Sequence, residues 1–130
     1  MLLPTTLCLA AAAAIINLWL SMRIGGLRMR EKIIHGDGGN EALMRRMRAQ
    51  ANFVENVPLT LILIAAVELS GRGGQWLAIV GAVFILARVA HGLGMDRPGP
   101  NPLRTTGALV TMLTLLGLAI VAVLIATGRF

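Results

Sequence analysis

Long stretches without a charged side chain dominate this sequence and restrict the folds that are open to it. Residues 2–22 and 105–128 contain no Asp, Glu, Lys or Arg. A helix of about 20 apolar residues crosses a hydrocarbon layer roughly 30 Å thick, so each stretch is long enough to span a bilayer. Of the 130 residues, 56% are apolar and 14% are charged, and a soluble core of this size could not enclose so many apolar side chains. We therefore expect an integral membrane protein.

Capping and breaking residues divide the chain into four transmembrane helices. Asn40 and Asn101 are suitable N-caps for the second and fourth helices. A glycine-rich stretch ends the second helix, and a proline cluster prevents the third from continuing. Because the turn between the second and third helices is short, we expect an all-α membrane protein with a four-transmembrane-helix up-down bundle. The predicted helices cover about residues 2–30, 41–69, 75–95 and 102–128 of a single membrane domain, 1–130.

The distribution of basic residues predicts the orientation of these helices. Short loops rich in Lys and Arg face the cytoplasm, and the third connection contains Arg97 and Arg104, whereas only Arg72 and Arg129 lie on the other side. Both termini are therefore expected outside the cytoplasm. The formal charge of +6 is attributed to contact with lipid head groups, and no nucleic-acid partner is expected. The first connection and the start of the second helix contain Arg23, Arg28, Arg30, Lys32, Arg45, Arg46 and Arg48.

Three polar residues of the second helix form a candidate binding stripe. Arg48, Asn52 and Glu55 are spaced i, i+4 and i+7, which places them on one face of a helix. Ionisable groups within a membrane are costly and are functional candidates for that reason. Glu55 could receive an ammonium group, and Asn52 a peptide amide.

Further cations are expected at the depth of this stripe. Arg88 and His91 share a face near the same end of the third helix, and Arg104 lies in the first turn of the fourth. A guanidinium binds a carboxylate through two parallel hydrogen bonds. Since three arginines accompany the single carboxylate of Glu55, the pattern indicates a small zwitterionic ligand with surplus negative charge.

A purely structural interpretation of the stripe is also open. Arg48 and Glu55 could pair with Arg88 or with each other to neutralise charge and hold the helices in register. Such pairing would require no ligand.

Other polar residues have less specific interpretations. His91 could contact a ligand or pack within the bundle, and with two histidines and one cysteine in the chain no metal centre is expected. Asn17 is expected to form a hydrogen bond across a helix interface. Glu68 is expected to reach the outer head groups.

The segment from Arg48 to Leu59, RAQANFVENVPL, resembles the helix 2 signature of the membrane-associated proteins in eicosanoid and glutathione metabolism, the MAPEG family. This family includes leukotriene C4 synthase, microsomal glutathione transferase and microsomal prostaglandin E synthase. The segments LRMR at 27–30, RVAH at 88–91 and LRT at 103–105 resemble the prostaglandin synthase branch, so the similarity extends over most of the chain.

The resemblance implies a homotrimer that binds glutathione, as a cosubstrate, between neighbouring subunits near the cytoplasmic face. Arg48 and Arg88 would hold its carboxylates or structure the pocket, Asn52 its peptide and Glu55 its γ-glutamyl amine. Residues expected to reach across from an adjacent subunit are Gln50 and either Arg28 or Arg30. Arg104 would contact the thiol, Thr105 would donate a further hydrogen bond, and His91 stands where relatives commonly carry tyrosines.

The function that follows is a membrane glutathione transferase or peroxidase. It would transfer glutathione to a lipophilic electrophile, or reduce lipid hydroperoxides, through a thiolate stabilised by Arg104, because the thiolate is the nucleophilic form. The positive end of the fourth helix would contribute about 0.3–1 kcal/mol to the anion. One alternative is a non-catalytic lipid- or glutathione-binding protein of the same fold, which the absence of tyrosine favours. A small multidrug or ion transporter is the other alternative, and it predicts an isolated carboxylate near the midplane.

Overall fold

The computed structural model describes all of residues 1–130, and every regular element in it is helical. All four helices are long and apolar enough to cross a membrane, which confirms the predicted all-α fold class. The helices are α1, Pro4–Glu31; α2, Glu41–Leu69; α3, Gln75–Gly94; and α4, Pro102–Ala126.

Local chemistry explains where the helices begin and end. Asn40 caps α2 by accepting a hydrogen bond from the backbone N–H of Leu43 at 2.9 Å, as its side chain predicts. The start of α1 lies at Pro4, two residues later than predicted, because a residue that precedes proline is disfavoured in the helical conformation. α1 ends where Lys32 adopts a left-handed conformation, with φ of 56°.

Consecutive helices run antiparallel, and hydrogen bonds hold them together at both ends of the bundle. Glu68, near the end of α2, accepts hydrogen bonds from the backbone N–H groups of Thr5 and Thr6 at 2.9 and 2.8 Å. Glu68 therefore caps the start of α1, a contact that the sequence did not predict. Its carboxylate neutralises the positive end of the α1 dipole. We call this end, which also carries both chain termini, the terminal end.

The opposite end of the bundle contains the α1–α2 and α3–α4 connections, and we call it the basic end. The side-chain amide of Asn101 donates to the carbonyl oxygen of Gly94 at 2.7 Å, while its oxygen accepts from the backbone N–H of Arg104 at 3.1 Å. A single side chain thus caps α4 and ties its first turn to the last residue of α3.

The bundle is filled by apolar side chains, and its outer surface is also apolar. The largest buried cluster consists of Ala13, Ile16, Leu20, Ala49, Phe53, Val57, Phe84 and Met95. Outward-facing residues such as Ile62, Leu86 and Leu116 remain more than half exposed. Large exposed aliphatic side chains on every helix fit a hydrocarbon environment and not an aqueous one.

Small residues bring α3 and α4 into close contact near the basic end. A side chain added at Gly107 would lie 2.6 Å from the carbonyl oxygen of Ala87 and 2.7 Å from the Cβ of His91. One added at Gly94 would collide with the backbone of Arg104. Close backbone approach through small residues is the usual way in which membrane helices pack, and here it fixes the first turns of α4 against the end of α3.

A polar contact also joins α1 to α2. The side-chain amide of Gln50 donates to the oxygen of Asn17 at 3.3 Å. The predicted hydrogen bond of Asn17 across a helix interface is confirmed. Its partner, Gln50, is a residue that the family resemblance expects to reach into an adjacent subunit.

Candidate active site

The predicted stripe on α2 contains two exposed charges and one side chain that is held in place. Arg48 and Glu55 are both exposed, whereas Asn52 is half-buried. The ion pairs of the chain all join other residues, so neither Arg48 nor Glu55 is neutralised within the subunit. The carbonyl oxygen of Asn52 accepts a hydrogen bond from the side chain of Asn56 at 2.8 Å. The stripe therefore presents both a cation and an anion at the surface of α2.

Arg88 lies behind the stripe, in the interior of the bundle. Only 1% of its surface is exposed. Its Nη2 donates to Oδ1 of Asn52 at 2.8 Å, and its Nη1 donates to Oγ1 of Thr111 at 3.1 Å. The guanidinium carbon is 5.8 Å from the centre of the Phe53 ring, within the range of a cation–π interaction. One side chain of α3 thereby connects α2 with α4.

This arrangement differs from the structural pairing considered above. Arg88 takes part in none of the ion pairs, and its neighbours are a neutral amide and a neutral hydroxyl. The Thr111 hydroxyl in turn donates to the carbonyl oxygen of Gly107 at 2.8 Å. Burying a cation with neutral partners is costly, and Arg88 has few other hydrogen-bond acceptors within reach. Its hydrogen bond to Asn52 therefore fixes the position of that side chain.

His91 lies one helical turn beyond Arg88 and is 4% exposed. Its Nδ1 atom has no hydrogen-bond partner. The side chain packs where Gly107 of α4 passes close to α3. In the isolated subunit, therefore, His91 is a packed histidine of the α3–α4 interface.

Arg104 and Thr105 are exposed on the first turn of α4. Both line an open groove of about 490 Å³ whose other walls are Pro100, Ala108, Leu109 and Met112. Arg104 takes part in none of the ion pairs. An unpaired guanidinium, a hydroxyl and the positive end of a helix dipole are therefore found beside exposed apolar side chains.

The remaining candidates, Arg28, Arg30 and Gln50, have partners within their own subunit. Arg28 donates to the carbonyl oxygen of Gly36 at 2.7 Å and so holds the α1–α2 connection. Arg30 is exposed and pairs with the adjacent Glu31 at 3.1 Å. Gln50 faces α1, as described above. The structure places Asn52 and Arg88 in direct contact, and Arg104 with Thr105 in one groove, but no side-chain hydrogen bond joins the two groups.

Several residues that shape the site were not singled out in the sequence. Thr111 occurs one helical turn after Gly107 on the face of α4 that meets α3, a spacing that could have indicated a buried hydroxyl. Asp96 is the single acidic residue between α3 and α4, and it pairs with arginines of two other helices. The partners of Thr111 and of Asp96 lie on other helices, so the sequence of a single helix does not reveal them.

Comparison with known proteins identifies the fold family. The family model described as "MAPEG family" matches residues 6–124. The chain belongs to the MAPEG family. The suspected relationship is thereby confirmed over nearly the whole chain, and with it membership of a group of membrane proteins in glutathione and eicosanoid metabolism.

Two relatives of this MAPEG protein are both called "Inner membrane protein YecN", one from Escherichia coli strain K12 and one from Escherichia coli O6:H1 strain CFT073. Each is 29% identical to it over 85 residues. The matched region covers 65% of this chain and 65% of the relative, a little under two thirds of either length. Together with the four apolar helices, these relatives support an integral, multi-pass membrane protein.

The Arg88 network predicts that Thr111→Val destabilises this MAPEG protein. Valine has nearly the shape of threonine but cannot accept the hydrogen bond of a buried guanidinium, and an unsatisfied buried donor costs about 1–3 kcal/mol. We expect a loss of that order in the free energy of unfolding, measured by denaturation in detergent. Thr114→Val, at a half-buried position of the same helix, is the matched control, and equal stability of the two variants would contradict the role of Thr111.

Proposed function

We propose that this MAPEG protein is a membrane-embedded, glutathione-dependent enzyme that transfers glutathione to a lipophilic electrophile or reduces lipid hydroperoxides. The observation that supports it most strongly is the pair of unneutralised charges, Arg48 and Glu55, exposed on a helix on either side of a fixed amide, Asn52. A zwitterionic peptide with two carboxylates and one amine is complementary to such a surface.

The binding of glutathione follows from these charges. Glu55 accepts the γ-glutamyl ammonium group, Arg48 binds a carboxylate, and Asn52 contacts a peptide amide. Arg88 acts indirectly, because its guanidinium is enclosed and holds Asn52 in position. The ligand lies near the basic end, which the excess of arginine predicts to be the cytoplasmic face.

The resemblance to the family suggests that a second subunit completes the site. Beyond Glu55, the exposed face of α2 continues with Leu59 and Ile62. One face of α2 therefore carries polar residues followed by apolar ones, and a neighbouring copy could pack against both. A homotrimer would place the stripe of one subunit against the next and remove it from bulk solvent.

The chemistry is assigned to the first turn of α4. The guanidinium of Arg104 and the hydroxyl of Thr105 stabilise the thiolate, and preorganised donors aimed at a developing anion are a major source of catalysis. In conjugation the sulfur lone pair forms a bond to the electrophilic carbon, and either a leaving group departs or a proton is taken up. In peroxide reduction two glutathione molecules supply two electrons, which gives the disulfide, the alcohol and water. The apolar walls of the groove admit the lipophilic substrate from the membrane.

Glutathione binding without catalysis is the second candidate, and one observation favours it. The chain contains no tyrosine, and His91 is buried in the α3–α4 interface. Only Arg104 and Thr105 therefore remain as side-chain donors to a thiol in the α4 groove. Membership of the MAPEG family gives no support to the alternative that the protein is a transporter.

Glu55→Gln tests the binding mode. The substitution keeps the shape of the side chain and removes the charge that pairs with the ligand amine. A hydrogen bond to a charged group is worth about 1.5–3 kcal/mol, so we expect glutathione affinity to fall about 10-fold to 100-fold, measured by calorimetry in detergent. Glu41→Gln, a charge-matched change at an exposed position of the same helix, should bind as tightly as the parent protein. Parental affinity in Glu55→Gln would show that Glu55 does not bind the amine.

Arg104→Ala separates binding from chemistry. Glutathione should bind within about threefold of the parent affinity, whereas turnover should fall about 100-fold or more, as happens when one donor to an oxyanion is removed. Ultraviolet absorbance of the bound thiolate should disappear with the turnover. The control is Arg97→Ala, an exposed arginine of the connection that precedes α4. Unchanged turnover in Arg104→Ala would exclude the assigned role.

A further inference from the structure

Asp96, in the turn that follows α3, binds arginines from two other helices. Arg23 of α1 forms an ion pair with its Oδ1 atom, and Nε of Arg46 in α2 lies 3.6 Å from the same oxygen. None of these three residues belongs to the proposed glutathione-binding or catalytic set, although their ion pairs hold the turn that precedes α4.

Further contacts hold the two arginines in place. Arg46 donates through Nη1 to the carbonyl oxygen of Arg23 at 2.9 Å. The guanidinium of Arg23 lies 4.6 Å from the centre of the Trp19 ring, which is a cation–π contact. The side chains of Arg23 and Arg46 are 14% and 32% exposed, so solvent screens their attraction to Asp96 less than it screens an open surface pair.

Asp96 follows the residues that meet the start of α4. Two residues before it, Gly94 accepts the hydrogen bond from Asn101 and lies against the backbone of Arg104. The connection is thus anchored to α4 at Gly94 and to α1 and α2 at Asp96. Arg104 forms no ion pair, so its location depends on how the first turn of α4 is held, both by close packing against α3 and by the connection before it.

We propose that Asp96 is a positioning residue that fixes the first turn of α4, and with it Arg104, by binding Arg23 and Arg46. Its catalytic consequence rests on the proposed function, since it concerns the thiolate that Arg104 would stabilise. Its structural consequence, a fixed connection between α3 and α4, does not depend on any ligand.

The connection between α3 and α4 has few other contacts that could hold it in place. The connection contains Pro98, Pro100 and Gly99, the last in a left-handed conformation with φ of 81°, and these residues donate few backbone hydrogen bonds that could hold it. Without the Asp96 ion pairs, the side-chain anchors that remain nearby are the Asn101 contact and a long hydrogen bond of 3.5 Å from Arg23 to the carbonyl oxygen of Gly92, and both reach α3 and not the connection itself. A shift of about 1 Å at a catalytic group is enough to lower a rate about 100-fold.

The test compares Asp96→Asn with Asp37→Asn, the same substitution in the other connection at the basic end. Arg46→Gln serves as a milder second variant, because it leaves the Arg23 pair in place. Two properties are measured on each purified full-length protein: amide hydrogen exchange over residues 97–105, and thiolate absorbance per bound glutathione. If Asp96 only stabilised the fold, its substitution would lower global stability without changing the thiolate absorbance per bound glutathione.

In Asp96→Asn we expect exchange over 97–105 to accelerate about 10-fold, a local opening of the order seen in weakly held segments. Glutathione affinity should stay within about threefold while the thiolate signal falls about 10-fold or more. Arg46→Gln should show the same changes to a smaller extent, and Asp37→Asn none. The proposal would be overturned if amide hydrogen exchange over residues 97–105 had the same rate in Asp96→Asn, Arg46→Gln and Asp37→Asn. If the parent protein bound no glutathione, the proposed function would fail, whereas the exchange result would still decide the role of Asp96.

Discussion

The buried guanidinium of Arg88 is the constraint on which much of this structure depends. A cation within a membrane-spanning helix must find hydrogen-bond acceptors inside the protein, and Arg88 obtains them from Asn52 on α2 and Thr111 on α4. Three helices are thereby fixed relative to one another near the basic end. Because its partners are neutral, Arg88 leaves the carboxylate of Glu55 unpaired and exposed on α2.

The polar residues therefore form two groups: some stabilise the fold, and others are free to bind a ligand. Interior groups hold the scaffold, and the Glu68 carboxylate at the terminal end does so as well, through the α1 helix cap. The residues proposed for ligand binding and chemistry lie at the surface: Arg48 and Glu55 on α2, and Arg104 and Thr105 on α4. A glutathione-dependent reaction at a membrane suits this division, since the peptide is polar and the proposed second substrate is lipophilic.

Much of the fold could be predicted from the sequence because it depends on local properties. Uncharged stretches, asparagine caps and prolines mark the helices, and the spacing of Arg48, Asn52 and Glu55 places them on one face. Contacts between helices could not be predicted in this way. That Arg88 meets Thr111, that Glu68 caps α1 and that Asp96 pairs with Arg23 depend on which side chains come together after packing. The roles of the site residues and the trimer remain proposals that come from the family resemblance and the exposed charges.

The proposed function requires that this surface binds glutathione and ionises its thiol. The most direct measurement is a titration of glutathione into the detergent-purified protein, followed in one sample by calorimetry and by ultraviolet absorbance of the thiolate. We expect saturable binding heat and a thiolate band that reach their end points together. Absence of saturable binding would contradict it, and Arg48, Asn52 and Glu55 would then be explained by helix packing or subunit contacts alone.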